Sequence, residues 1–272
     1  MQRIADEVRR QGITIGLVPT MGFLHEGHLS LIRRSKAEAQ LTVVSIFVNP
    51  LQFGPHEDFD RYPRAFEHDI GLVEQTGGDV VFAPGYEEMY PQGFTTFVEV
   101  QKLTEGLCGA SRPGHFRGVT TVVTKLFCTV KPHIAVFGQK DAQQAVVIRR
   151  MVQDLNLDTK IIVCPTVREE DGLAMSSRNT SLSPVERNDA TVLYASLRLA
   201  EEMIGQGTRD AQQIVAVIRH LILSKPSAKV DYVAVVDRYA LEPLSEIQDG
   251  AMILLAVWIG HIRLIDNIVI KL

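Results

Sequence analysis

Two histidines three residues apart, His25 and His28, lie in the stretch PTMGFLHEGHLSLIRRS, where a β-branched run gives way to a helical pattern. Gly22 and Gly27 let the backbone turn closely there. A helix start offers free N–H groups and the positive end of the helix dipole, so this turn is a candidate anion site flanked by two imidazoles. A zinc pair is disfavoured, because the zinc-protease pattern places its two His four apart within one helix. No GxGxxG opens this helix and no GxxxxGK[ST] occurs in the chain, so neither a dinucleotide fingerprint nor a Walker site is supported.

Two further segments carry groups suited to phosphate. In FGQKDAQQ, at the end of the run IAVFG, Lys140 and Asp141 open a helix. A lysine at a strand-to-helix turn faces the ligand crevice of an open α/β sheet, and Asp141 can accept from ribose hydroxyls or cap the helix. In AMSSRN, Ser176, Ser177 and Arg178 bring two hydroxyls, neighbouring backbone N–H groups and a guanidinium together, which is enough for a phosphate clamp. Taken alone, a capped helix and an exposed polar loop would account for these segments. Together with the histidine turn they argue for a polyphosphate.

The elements that must position these residues follow a βαβ rhythm. Short apolar runs at 14–18, 42–48, 79–82, 134–137 and 160–163 read as strands, with helical patterns at 27–38, 64–75, 118–130 and 142–155 between them. Near-continuous apolar strands such as VVSIFV suit a parallel sheet covered on both faces. After Pro165 a polar loop leads into helical patterns at 184–204 and 210–224, then strands at 231–236, 251–258 and 261–267, the last two joined by a tight connection at Ile259-Gly260. The expected fold is α/β: a Rossmann-like doubly wound parallel sheet over residues 1–166, followed by a smaller C-terminal α+β domain over 167–272 carrying a short antiparallel sheet.

Composition narrows the class. The 272 residues include 46% hydrophobic and 22% charged side chains, which fits an ordinary globular protein and excludes disorder and coiled coil. A net charge of −4 argues against a dedicated nucleic-acid binder, while a small anionic substrate needs only a local cationic pocket. Cys108, Cys128 and Cys164 form neither a disulfide framework nor a zinc pattern and read as reduced and mostly packed. With no apolar signal region and no run of about 18 apolar residues, no membrane association is expected and the cytoplasm is the default compartment.

The His-x-Gly-His turn is similar to the signature of the nucleotidyltransferase and class I aminoacyl-tRNA synthetase superfamily. The segments PTMGFLHEGH, SIFVNPLQFG, DFDRYPR, RPGHFRGV, FGQKDAQQ, PTVREEDGLAMSSRN and RLIDN, in this order between residues 19 and 267, resemble the pantoate–β-alanine ligase family. That resemblance implies an ATP-dependent ligase of vitamin B5 and coenzyme A synthesis. In it ATP and pantoate give pantoyl adenylate and pyrophosphate with Mg2+, and the amine of β-alanine displaces AMP.

The resemblance further implies that His25 and His28 contact the ATP phosphates, that Lys140 bridges phosphate and pantoate, and that Ser176, Ser177 and Arg178 hold the triphosphate. Gly138 and Asp141 would meet the ribose, the backbone of Val167 and Met175 the adenine, and Met21 would line the pocket. Gln52, Gln144 and Asn49 would serve pantoate. Asp69 would stand near the Mg2+, although His68 occupies a position where some relatives carry an acid. Tyr62, Arg112 and His115 would support the pocket. A homodimer through the N-terminal domain and a second domain that closes over the cleft are also implied. A carboxylate nucleophile is already ionised, so the first step needs positioning and charge compensation rather than a general base. The rivals are an adenylyltransferase that leaves AMP on its product, a tRNA synthetase, and a nucleotide-sensing protein without turnover.

Overall fold

Five runs of β-branched and apolar residues form a parallel sheet: β1 (Ile15–Thr20), β2 (Leu41–Ile46), β3 (Val80–Phe82), β4 (Ile134–Gly138) and β5 (Lys160–Cys164). Their order is β3-β2-β1-β4-β5, so the chain reverses direction across the sheet between β1 and β4. The computed structural model describes residues 1–55 and 57–272. Connections run through α1 (Gln2–Arg10), α2 (Glu26–Glu38), α3 (Phe66–Thr76), two single-turn helices α4 (Tyr86–Met89) and α5 (Cys108–Ser111), α6 (His115–Val130) and α7 (Ala142–Asp154).

Strand side chains alternate between the two faces. Val18, Val44, Ile134, Val136, Ile162 and Cys164 join Leu31 and Ile32 of α2 and Val73 of α3 in one core layer. Ile15, Leu17, Val43, Ala135 and Phe137 alternate with them and are also buried, so both faces of the sheet are covered. At Gly16 α2 lies close: a Cβ there would be 2.2 Å from Ser35 Oγ and 3.1 Å from Ala39 Cβ. Ser35 is itself committed to Thr42 at 2.8 Å.

These elements belong to one compact unit, Met1–Gln139 with Gln144–Pro165. The other comprises Lys140–Gln143 and Thr166–Leu272, so the short segment carrying Lys140 groups with the C-terminal part of the chain. That second unit contains α8 (Pro184–Ala190), α9 (Val192–Gly205), α10 (Ala211–Leu223) and an antiparallel sheet in the order β6-β7-β8, formed by Ala228–Val236, Met252–Ile259 and Ile262–Val269. Leu193, Leu197, Ile214, Ile218 and Ile222 of the helices pack with Ile253, Leu255 and Val257 of β7 into its core.

Three local features differ from the sequence expectation. The pattern at 184–204 is two helices, because the Thr191 hydroxyl and N–H both turn back to the Asn188 carbonyl (2.8 and 3.3 Å) and interrupt the α ladder for one residue. Helix α1 is not among the sequence expectations; only Ala5 of its nine residues is buried, and its apolar positions are Ile4, Ala5 and Val8 alone. The β7–β8 turn falls at Gly260-His261, one residue later than expected, where Gly260 supplies the positive φ of +56°. From the close approach at β1 we expect Gly16→Ala to lower stability by about 1–3 kcal/mol through overpacking. Urea unfolding checks this, and an unchanged midpoint would show that α2 is not seated by that glycine.

Candidate functional site

The first unit contributes the turn between β1 and α2. His25 is the N-cap of α2: its Nδ1 accepts from the Gly27 N–H at 3.2 Å, while His28 Nδ1 accepts from the His25 N–H at 3.3 Å. This reciprocal capping box is normally built from Ser or Thr and Glu. A neutral imidazole that accepts at Nδ1 carries its proton at Nε2. Both rings, with centroids 4.1 Å apart, are thereby fixed as Nε2–H donors at the positive end of a helix.

The turn ahead of them is strained and held. Gly22 and Phe23 have φ of +81° and +51°. Gly22 N–H donates to Thr20 Oγ1 at 3.2 Å, Phe23 N–H to Asp69 Oδ2 at 2.8 Å, and Leu24 N–H to Asp69 Oδ1 at 2.7 Å. Asp69, the sequence candidate for Mg2+, is 1% exposed with each oxygen already accepting a backbone N–H. The carboxylate holds the turn through two of its lone pairs, one on each oxygen. Among the described residues no group of three His, Cys, Asp or Glu side chains could hold an ion.

Around Gln52 a second network forms. Asn49 is 1% exposed; its Nδ2 donates to Gln52 Oε1 and the Gly118 carbonyl (both 3.1 Å), and its Oδ1 accepts from the Tyr90 hydroxyl at 2.8 Å and the Leu51 N–H at 3.4 Å. All four positions of that amide are spent, so Asn49 stands behind Gln52 instead of reaching a ligand. Gln52 Nε2 donates to the Met21 sulfur at 3.0 Å. Gln144 is half-buried on α7 and makes no side-chain hydrogen bond within the described residues. At Gly118 a Cβ would lie 2.2 Å from the Leu51 carbonyl oxygen, so only glycine lets α6 approach the 50–52 turn this closely.

Arg112 and His115 converge on the same segment. The Gln52 carbonyl accepts from Arg112 Nη2 at 3.2 Å and from His115 Nδ1 at 2.8 Å, and Arg112 grips Glu57 through both Nε and Nη2. Burial opposes ionisation of Glu57, but the Arg112 hydrogen bonds and charge outweigh it and hold the carboxyl below its usual range. Tyr62 is buried and packs edge-on against Phe53.

Two further candidate segments lie within the second unit. Lys140 and Asp141 lie in a three-residue 3-10 turn, Gln139–Asp141, after Gly138 at the end of β4; the lysine ammonium is 3.9 Å from the Asp141 carboxylate. Met175 N–H donates to the Val167 carbonyl at 3.0 Å, closing a hairpin that delivers Ser176 to a 3-10 turn over Ser177–Ser181. Ser176 Oγ caps it by accepting from the Arg178 N–H at 3.3 Å. Asn179 Nδ2 ties this loop to Glu169 at 2.6 Å and to the Ala174 carbonyl at 3.1 Å, and Arg187 pairs with Glu169 and Asp171 (2.6 and 2.7 Å).

Tyr90, Glu57 and Asp266 were not singled out from the sequence. Tyr90 is a donor whose phenol burial pushes well above its ordinary range. Its only sequence signal is an aromatic in a loop region, and the partners of Glu57 and Asp266 lie 55 and 98 residues away.

The parallel β3-β2-β1-β4-β5 sheet with a His-x-Gly-His turn at its first strand-to-helix junction defines a Rossmann-like α/β protein of the His-x-Gly-His kind. Residues 1–269 match the family described as pantoate-beta-alanine ligase, and the chain belongs to that family. It is 58% identical over 271 residues to the pantothenate synthetase of Thermotoga neapolitana, covering 99% of this chain and 96% of that one. The crystal structure of pantothenate synthetase from Thermus thermophilus superposes with a TM-score of 0.94 at 47% identity, covering 98% of both chains. A pantoate-beta-alanine ligase from Francisella tularensis, complexed with beta-gamma ATP and beta-alanine, gives 0.80 at 36% identity over 98% of this chain and 95% of that one.

Two expectations follow from this geometry. Asp69→Asn turns one acceptor into a donor facing a backbone N–H and should cost about 1–3 kcal/mol in urea unfolding; a loss below about 0.5 kcal/mol would show that Asp69 does not hold the turn. Because the folded pKa of Glu57 is lowered, the stability it contributes is present above its unfolded value and disappears as pH falls through the folded one. The melting temperature of the wild type should therefore drop more steeply than that of Glu57→Gln below about pH 4.5, and parallel curves would contradict the assignment.

Proposed function

We propose that the chain joins pantoate to β-alanine through a pantoyl adenylate held by the residues just described. As a member of its family it is an ATP-dependent pantoate–β-alanine ligase. The roles of individual residues are our reading. A carboxylate oxygen of pantoate attacks the α-phosphorus of ATP, the bond to the bridging oxygen breaks and pyrophosphate leaves. The amine of β-alanine then attacks the acyl carbon and AMP leaves with the electron pair of the acyl–oxygen bond.

The observation that carries this reading is the capping box, which fixes two imidazole Nε2–H donors where a helix start already favours an anion. His25 and His28 donate to phosphate oxygens as negative charge builds on them, Lys140 adds a cation, and Ser176, Ser177 and Arg178 hold the triphosphate. Gln52 and Gln144 bind pantoate, whose hydroxyls and carboxylate suit amides that both donate and accept, and Met21 lines that pocket. Gly138 and Asp141 serve the ribose, and the backbone of Val167 and Met175 the adenine. Since the Val167 carbonyl accepts from Met175 N–H, we assign the adenine contacts to the Val167 N–H and the Met175 carbonyl.

Mg2+ enters this reading as a companion of the nucleotide. Asp69, which accepts two N–H groups and keeps two lone pairs, is the acid assigned beside it, and no step above depends on a protein-bound metal. A homodimer and a cytoplasmic location complete the proposal; no helix among the described residues is long and apolar enough to cross a membrane.

Release of AMP, measured with each substrate omitted in turn, should require ATP, pantoate and β-alanine together; AMP release independent of β-alanine would overturn the ligase reading. His28→Ala and Lys140→Ala should each slow pantoate-dependent pyrophosphate release at least about 100-fold while the fold persists. Gln144→Ala should raise the KM for pantoate, and wild-type values in these variants would remove the roles assigned.

A further inference from the structure

We infer that Asn267 of β8, backed by Asp266, is a positioning residue that sets where Lys140 stands. The inference rests on the proposed role of Lys140. The lysine sits in a three-residue 3-10 turn, Gln139–Asp141, that runs directly into α7. Asn267, 3% exposed, donates Nδ2 to the Lys140 carbonyl at 3.0 Å, a bond between residues 127 apart in sequence.

Its neighbour Asp266 is 2% exposed and points to the other side of the strand, as alternation requires. It receives Arg168 through Nη1 at 2.6 Å and Nη2 at 3.0 Å, and the Asn267 N–H at 2.8 Å. Arg168 also donates to the Gly172 carbonyl at 3.0 Å and lies 4.0 Å over the Tyr194 ring. Arg168 pairs with Ala174 across the hairpin that leads into Ser176. Two consecutive residues of β8 thus hold both segments through which the second unit serves the reaction.

A buried ion pair is a weak source of stability, because desolvating both partners offsets their attraction. Burial pushes the Asp266 carboxyl up, against the pull of Arg168. What a bidentate fork does supply is one geometry. The pair fixes the end of β8 from which Asn267 reaches Lys140.

The test is a double-mutant cycle on pantoate-dependent ATP–pyrophosphate exchange, with melting temperatures alongside. Asn267→Ala and the isosteric Asn267→Asp, which loses the donor, should lower the exchange kcat about 10- to 100-fold and leave the KM for pantoate within about twofold. In the Lys140→Ala background the same substitutions should change the residual rate by less than about twofold. Equal losses in both backgrounds would mean general destabilisation and overturn the inference, as would wild-type rates in both Asn267 variants or failure of both to fold. A wild-type rate in Lys140→Ala alone would instead overturn the role given to that lysine, and this inference with it.

Discussion

Backbone N–H groups that leave a strand for a helix through positive-φ residues must find acceptors, and at residues 22–28 side chains supply most of them. Thr20 takes the N–H of Gly22, Asp69 those of Phe23 and Leu24, His28 that of His25, and His25 that of Gly27. A buried N–H left without a partner would cost about as much as a lost hydrogen bond. The histidines therefore serve the helix before they serve any ligand, and the same bonds that cap α2 dictate which ring nitrogen carries the proton. Preorganisation of this sort is what a reaction limited by charge development on phosphoryl oxygens demands, since donors already in place need no reorganisation as the charge forms.

The remaining parts of the machinery are set by longer-range constraints. Gly16 seats α2 on β1, and Gly118 lets α6 press its backbone against the segment carrying Gln52. Arg112 and His115 converge on one carbonyl of that segment from the other end. In the second unit a single edge strand, β8, reaches two loops through adjacent side chains. Most of the groups assigned to substrate sit on short turns, and the histidine turn and the Lys140 turn are each held by a buried polar side chain from a distant element, Asp69 and Asn267. Irregular turns have few internal hydrogen bonds of their own, so rigidity has to be imported.

Much of this organisation was readable in the sequence because it is periodic or local. The five parallel strands came from apolar runs such as VVSIF, and the histidine turn from two glycines and a helical pattern that begins at its end. Helix α1 escaped because its buried face is one alanine, and the break at Thr191 because a hydroxyl bond to the i−3 carbonyl leaves no mark on hydrophobic spacing. The division of labour between ligand-facing and supporting residues was the least legible. Asn49 looks like a ligand-facing residue by type and motif, yet its amide is spent on Gln52, Gly118, Tyr90 and Leu51, partners up to 69 residues away, while Asp69 gives two of its lone pairs to Phe23 and Leu24. Which acceptor a buried amide or carboxylate meets is decided by tertiary packing.

The most direct measurement of the central claim is the tautomer of the two imidazoles. Histidine side-chain 15N–1H correlation spectra, assigned with His25→Gln and His28→Gln, report which ring nitrogen carries hydrogen. Both rings should carry Nε2–H near neutral pH before any nucleotide is added, with both Nδ1 atoms shifted as hydrogen-bond acceptors. An Nδ1–H tautomer in either ring would mean that the capping box does not form, and that the donors assigned to the phosphates are not set by the turn.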